Sequence, residues 1–186
     1  MERYELPIRE VANDWFRVHQ TRRGPVYFGT SGNNRFDAPD AEFGVMYVGL
    51  DAHCAIVETV GFSAFGRLIA ASSVAHLSLA RIETARLLRL VDLTADGLIR
   101  LGADARLTTG QYTVSQRWSR AIWHHPERPD GVLYRSRHDP SRLSAALFDR
   151  VADSVVLTRS DAFTSASMQQ SLRDVFATYG YVVVED

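Results

Sequence analysis

A chain of 186 residues can fill one core but is short for two, which predicts a single domain over 1–186. Hydrophobic residues at 46% and charged residues at 23% exclude a disordered, fibrous or repeat architecture. The 21 basic residues, every one an arginine, are set against 22 acidic ones: a net charge of −1 lacks the footprint of a direct nucleic-acid binder, and the absence of lysine excludes a Walker A loop and a Schiff-base lysine.

The N-terminal MERYELPIRE is charged from its second residue, unlike a signal sequence, and no window reaches the roughly 18 apolar residues of a membrane span. A cytoplasmic protein with no membrane attachment is expected. Cys54, the one cysteine, can form no internal disulfide and suits a reducing compartment.

WFRVH at 15–19 reads as a strand whose charged residue, Arg17, lies on a solvent face or is aimed at a polar site. Residues 22–34 form a loop rich in Gly, Asn and Ser, interrupted by VYF with Tyr27. GTSGNNRFDAPD then sets Arg35 between a flexible Gly-Asn stretch and Phe36, so that the guanidinium can face a cleft while Phe36 anchors the chain. A planar fork of this kind suits a diphosphate, although a surface arginine is the simpler account of the segment alone.

A strand over 45–50 puts Tyr47 on the same face as Val45 and Gly49, where it is a core aromatic or a wall of a site. Asp51 can cap the helix that follows, in which small or apolar residues at 52, 55, 56, 59 and 60 make one stripe. Glu58 lies at the edge of that stripe within AIVETVGF, where a partly desolvated carboxylate is either a candidate for catalysis or an ordinary surface glutamate.

Further along, 87–93 reads as a strand and a short helix runs from Thr94 to near Gly102. A second helix is predicted from Thr113, with Thr-x-x-Gln116 as a capping box and Val114, Trp118, Ala121 and Ile122 on its buried side. The turn HHPERPDG ends it. His124 and His125 are adjacent on that helix and point about 100° apart, so no metal site is expected there. Strands follow at 132–136 and 154–158, then a helix using Met168, Leu172, Val175 and Phe176 that stops near Gly180, and a strand at 181–185. In LYRSRHD, Tyr134, Arg135 and Ser136 offer phenol, guanidinium and hydroxyl to a ribose and a phosphate. Without regular βαβ alternation, the class is α+β. No GxGxxG, GxSxG or HExxH is present, so function rests on dispersed residues.

In order, FRVH with Arg17, NNRFD with Arg35, MYVGLD with Tyr47, AIVET with Glu58 and GVLYRS with Ser136 resemble the RES domain, a family named for an arginine, a glutamate and a serine. The resemblance covers about residues 14–158 and is to RES toxins of Xre–RES toxin–antitoxin systems, mycobacterial members above all. One departure is Asn34, where these loops commonly carry glycine before the arginine.

The resemblance implies an ADP-ribosyltransferase-like α+β fold with central mixed or antiparallel sheets and flanking helices. It also implies cleavage of the nicotinamide–ribose bond of NAD⁺, with phosphate favoured as acceptor over water or a macromolecule and with no resident cofactor. Glu58, Arg35 and Ser136 would be the catalytic residues, with Arg17, Tyr27, Tyr47, Tyr134 and Arg135 binding NAD⁺; either Arg17 or Arg35 would take the diphosphate. The implied partner is a cognate antitoxin with a helix-turn-helix DNA-binding part that blocks the cleft. Two other functions stay open: an ADP-ribosyltransferase acting on a macromolecule, and a module that binds a nucleotide without changing it.

Overall fold

In a computed structural model, which describes residues 5–12, 14–61 and 66–186, the chain is an α+β protein built on a curled eight-stranded sheet. The charged residues 1–4 and the phenylalanine closing AIVETVGF lie outside the described residues. The elements run β1 (Ile8–Val11), β2 (Trp15–Gln20), β3 (Val45–Gly49), α1 (Ala52–Val60), β4 (Leu68–Ala70), α2 (Ala71–Ala75), β5 (Leu77–Thr84) and β6 (Leu88–Asp92). Then come α3 (Ala95–Arg100), α4 (Arg106–Thr109), α5 (Tyr112–Trp123), β7 (Gly131–Arg135), β8 (Leu143–Phe148), a 3₁₀ turn (Asp149–Ser154), β9 (Val155–Ala162), α6 (Ala166–Tyr179) and β10 (Val182–Val184).

The strand order is β1-β6-β7-β8-β3-β2-β5-β9, with β6 and β7 the parallel pair and the other neighbours antiparallel. Trp15 of β2 and Ile82 of β5 share one buried cluster with Leu88 and Leu90 of β6, from the far side of that order. The sheet therefore curls until its two sides meet through this core. A second core, with Phe36, Phe43, Tyr134 and Phe148, lies under α3 and α5; a third joins α1 and α6 to β2 and β5.

One seam decides where a ligand can enter. β2 pairs with β5 over six residues and β3 with β8 over five, but β2 and β3 pair only at Phe16 and Gly49. Beyond that pair the strands part, and the gap is the cleft described below.

Gly49 closes β3 where the chain turns into α1. A Cβ there would lie 2.7 Å from the Ala55 nitrogen and 3.0 Å from the Asp51 oxygen, both backbone atoms that cannot step aside. Gly49→Ala is expected to cost about 1–3 kcal/mol through overpacking, read as a lowered melting temperature; an unchanged melt would show that the junction can yield. Asp51 caps α1 as expected, accepting the Cys54 N–H at 2.8 Å, and Gly180 ends α6 in the left-handed conformation at φ 66°.

The helix over 112–123 differs from its expectation. Gln111 stands at the cap without a side-chain bond, so the Thr113–Gln116 capping box does not form, and Val114 is 46% exposed. Ile122 is buried in the second core as expected, but Ser115, Gln116 and Ser119 are buried beside it, because this face of the helix also meets the carbonyls of a loop. Strand β9 runs four residues further than predicted, to Ala162, held by β5.

Candidate active site

The loop before β3 is predicted to be flexible, yet it is held from both sides. Asp37, 1% exposed, accepts at Oδ2 from the Ser31 hydroxyl, the Asn34 N–H and the Asn34 side-chain amide, each at 3.1 Å, and at Oδ1 from the Tyr47 hydroxyl at 2.9 Å. Tyr47 in turn accepts the Phe36 N–H at 2.8 Å. From α5, Gln116 donates to the Gly32 and Asn34 carbonyls at 2.8 and 3.0 Å, and Ser119 donates to the Phe36 carbonyl at 2.7 Å. Phe36 is fully buried and anchors the loop as expected.

This frame turns Arg35 inward. The residue is 9% exposed, and its guanidinium donates to the Gly110 carbonyl at 2.8 Å and lies 4.6 Å from the centre of the Tyr112 ring. Burial lowers its pKa; Tyr112 opposes that fall and Arg137 adds to it. Across the seam, Arg17 on β2 donates to the Tyr27 carbonyl at 2.7 Å, and burial lowers its pKa to about 10. A buried guanidinium is less well solvated than in water, so an anion bound between these two would stabilise both charges.

Arg17 and Arg35 line a cleft of about 340 Å³, together with Arg135, Arg137, Tyr47 and Tyr134. Glu58, in the last turn of α1, is the one carboxylate among the described residues that line it. A single oxygen, Oε1, accepts the Ser136 hydroxyl at 2.5 Å, the Arg137 N–H at 2.7 Å and the His138 N–H at 3.2 Å. Among the described residues nothing donates to Oε2. One edge of the carboxylate is thus fixed, and the other is available to a ligand.

Six of the eight residues singled out in the sequence meet on this cleft: Arg17, Arg35, Tyr47, Glu58, Tyr134 and Arg135. Ser136 and Tyr27 do not line it. Ser136 is 2% exposed; its hydroxyl donates to Glu58 and accepts the Asp139 N–H at 3.0 Å, so it stands behind the carboxylate and not against a ligand. Tyr27 is 59% exposed in an adjoining groove and reaches the site only through its carbonyl on Arg17. Tyr134 is buried against Phe36, their rings 4.9 Å apart, and burial, with Glu58 and Cys54 adding, raises its phenol pKa. Arg135 is exposed, bonded to the Pro140 carbonyl at 2.9 Å. Of the loop-holding residues, Asp37 and Ser119 had no part in the site expected from sequence and Gln116 only a place in a capping box; the local signal for Asp37 was its place at the end of the NNRFD motif.

Cys54 is fully buried, donates to the Leu143 carbonyl at 3.2 Å, and has its thiol pKa pushed up by burial to about 11. It is held as a neutral thiol outside the chemistry. Among the described residues no helix is long and apolar enough to cross a membrane.

A protein of Sinorhizobium fredii named "Probable toxin y4kH" is 35% identical over 83 residues, an alignment covering 44% of this chain and 65% of that protein's length. A chain of the M. tuberculosis MbcT–MbcA toxin–antitoxin complex superposes with a TM-score of 0.70 at 18% identity, covering 88% of this chain and 90% of that one. The architecture is thus an α+β fold shared with that chain, the class expected from the sequence. The family model for the RES domain matches residues 12–166, a span holding Arg17, Arg35, Glu58 and Ser136, and the chain belongs to the RES domain family.

Proposed function

We propose that the protein is the toxin of a toxin–antitoxin pair, acting in the cytoplasm by breaking the nicotinamide–ribose bond of NAD⁺ with inorganic phosphate as acceptor. The observation that carries this reading is the single carboxylate, Glu58, held by three donors on one oxygen in a cleft otherwise charged by arginines. Nicotinamide leaves as a neutral molecule with the electron pair of the broken bond, so no general acid is needed and one carboxylate suffices. Glu58 faces the positive charge that develops on the ribose and accepts its hydroxyls at Oε2. Arg17 and Arg35 bind the diphosphate or the incoming phosphate, and Tyr47 and Tyr134 wall the nicotinamide end. An oxygen of phosphate, already anionic, bonds to the ribose carbon that nicotinamide leaves, giving ADP-ribose 1″-phosphate.

The toxin role is supported by a relative named as a toxin and by the fold shared with a toxin–antitoxin complex. The partner is a cognate antitoxin with a helix-turn-helix DNA-binding part that blocks the cleft; the cleft itself takes NAD⁺ and no nucleic acid. Incubation with NAD⁺, with and without inorganic phosphate, followed by chromatography, tests the chemistry. Nicotinamide is expected in the products, with phosphorylated ADP-ribose only when phosphate is present. Intact NAD⁺ at the end sinks the reading, and ADP-ribose attached to a macromolecule would replace phosphorolysis by transfer.

A further inference from the structure

The three donors that hold Glu58 all come from one turn, 136–142, closed by the Arg142 carbonyl accepting the Ser136 N–H at 3.0 Å. Arg137, Pro140 and Ser141 in it are exposed, so apolar burial does little to fix the turn. A polar knot helps to hold it. Arg142 donates through Nη1 to Asp51 at 2.8 Å, the residue that caps α1, and through Nε to Asp139 and to the Tyr179 hydroxyl, each at 3.0 Å. Tyr179, the last residue of α6, donates to the Asp139 carboxylate at 2.8 Å. Asp139 also accepts the Ser141 hydroxyl at 2.6 Å, and the Ser141 and Tyr179 hydroxyls hold its pKa down at about 2. The knot therefore keeps its charges at neutral pH. It joins the turn bearing the donors, the helix bearing Glu58 and the C-terminal helix.

We infer that Tyr179, acting with Arg142 and Asp139, is a positioning residue for Glu58, so that α6 latches the turn whose donors aim the carboxylate. This rests on the NAD⁺-cleaving reading of the site. Tyr179 lies beyond residue 166, where the match to the RES domain ends, while Arg142 and Asp139 lie within it. A carboxylate that must meet a developing charge loses rate steeply with small displacements, whereas ground-state binding of NAD⁺ by the arginines is less sensitive to them.

Tyr179→Phe removes the hydroxyl and keeps the ring against His53 and Tyr181. It is expected to lower kcat about tenfold, the effect of one hydrogen bond to a charged group, with KM for NAD⁺ within about twofold of wild type. Amide exchange of Arg137 and Asp139 should speed up by a similar factor while Leu133 in β7 is unchanged. Thr178→Ala, one residue earlier on the same helix, should leave kcat as it is. Wild-type kcat in folded Tyr179→Phe, or unaltered exchange in the turn, overturns the latch; so does a loss carried by KM alone. Should that variant not fold, Arg142→Lys keeps the charge, loses the fork to Asp51 and Asp139, and is read by the same criteria. A wild-type protein that leaves NAD⁺ intact is a separate failure, seen before any variant is made: it removes the reaction that the latch serves.

Discussion

Glu58→Gln is expected to slow NAD⁺ consumption by on the order of 10²–10³-fold while the protein stays folded. The glutamine carbonyl can take the place of Oε1 and keep the Ser136, Arg137 and His138 donors, so the turn has no reason to open. What disappears is the charge facing the ribose, together with the acceptor at Oε2, which the amide NH₂ replaces with a donor. The loss should fall mainly on kcat, since the charge acts as positive charge develops, with a smaller rise in KM from the lost acceptor for the ribose hydroxyls. Nicotinamide release at saturating NAD⁺ measures it. A folded Glu58→Gln variant working at the wild-type rate would remove Glu58 from the chemistry.

Asp37→Ala has the largest expected effect on stability. Four donors converge on this buried carboxylate, and truncation leaves the Tyr47 hydroxyl, the Asn34 N–H and their neighbours without an acceptor. With a desolvation penalty of roughly 1–3 kcal/mol for each group that water cannot reach, a net loss of about 2–4 kcal/mol is expected, because Ser31 and Asn34 can turn toward solvent. For a chain of this size that is roughly 5–15 °C in melting temperature. Activity should fall as well, since the same carboxylate frames the loop that aims Arg35. A melting temperature within about 2 °C of wild type would show the loop to be held mainly by α5.

The strand at 15–19, the capped helix after Asp51, the short helix after Thr94 and the last amphipathic helix were legible because each carries its own local signal: alternation, a cap or a stripe. Strand β8, LSAALF, gave none. It lies in mid-sheet with five of its six residues buried, so it does not alternate, and its two alanines are weak strand formers. Helix α5 was misread for the opposite reason. Its sequence offers an apolar stripe and a capping box, but the loop at 31–37 needs donors for its carbonyls, and Gln116 and Ser119 face inward to supply them.

Within the site, Glu58 stood out by its weakly polar setting and Arg35 by its place between a Gly-Asn stretch and Phe36, and the order of short motifs carried the family. Ser136 was singled out as a ligand-facing hydroxyl, and its turn toward Glu58 was not readable. Whether a hydroxyl meets a ligand or a neighbouring carboxylate depends on which element packs across from it, 78 residues away in the chain. Local periodicity, caps and turn residues were thus enough for the elements just named and for the α+β class, but not for β5 or β8. Tertiary structure alone decided that β2 and β3 part beyond Phe16 and Gly49 to open the cleft, that Ser136 serves Glu58, and that Tyr27 stays outside. Those outcomes come from contacts between segments far apart in sequence, and no local preference encodes them.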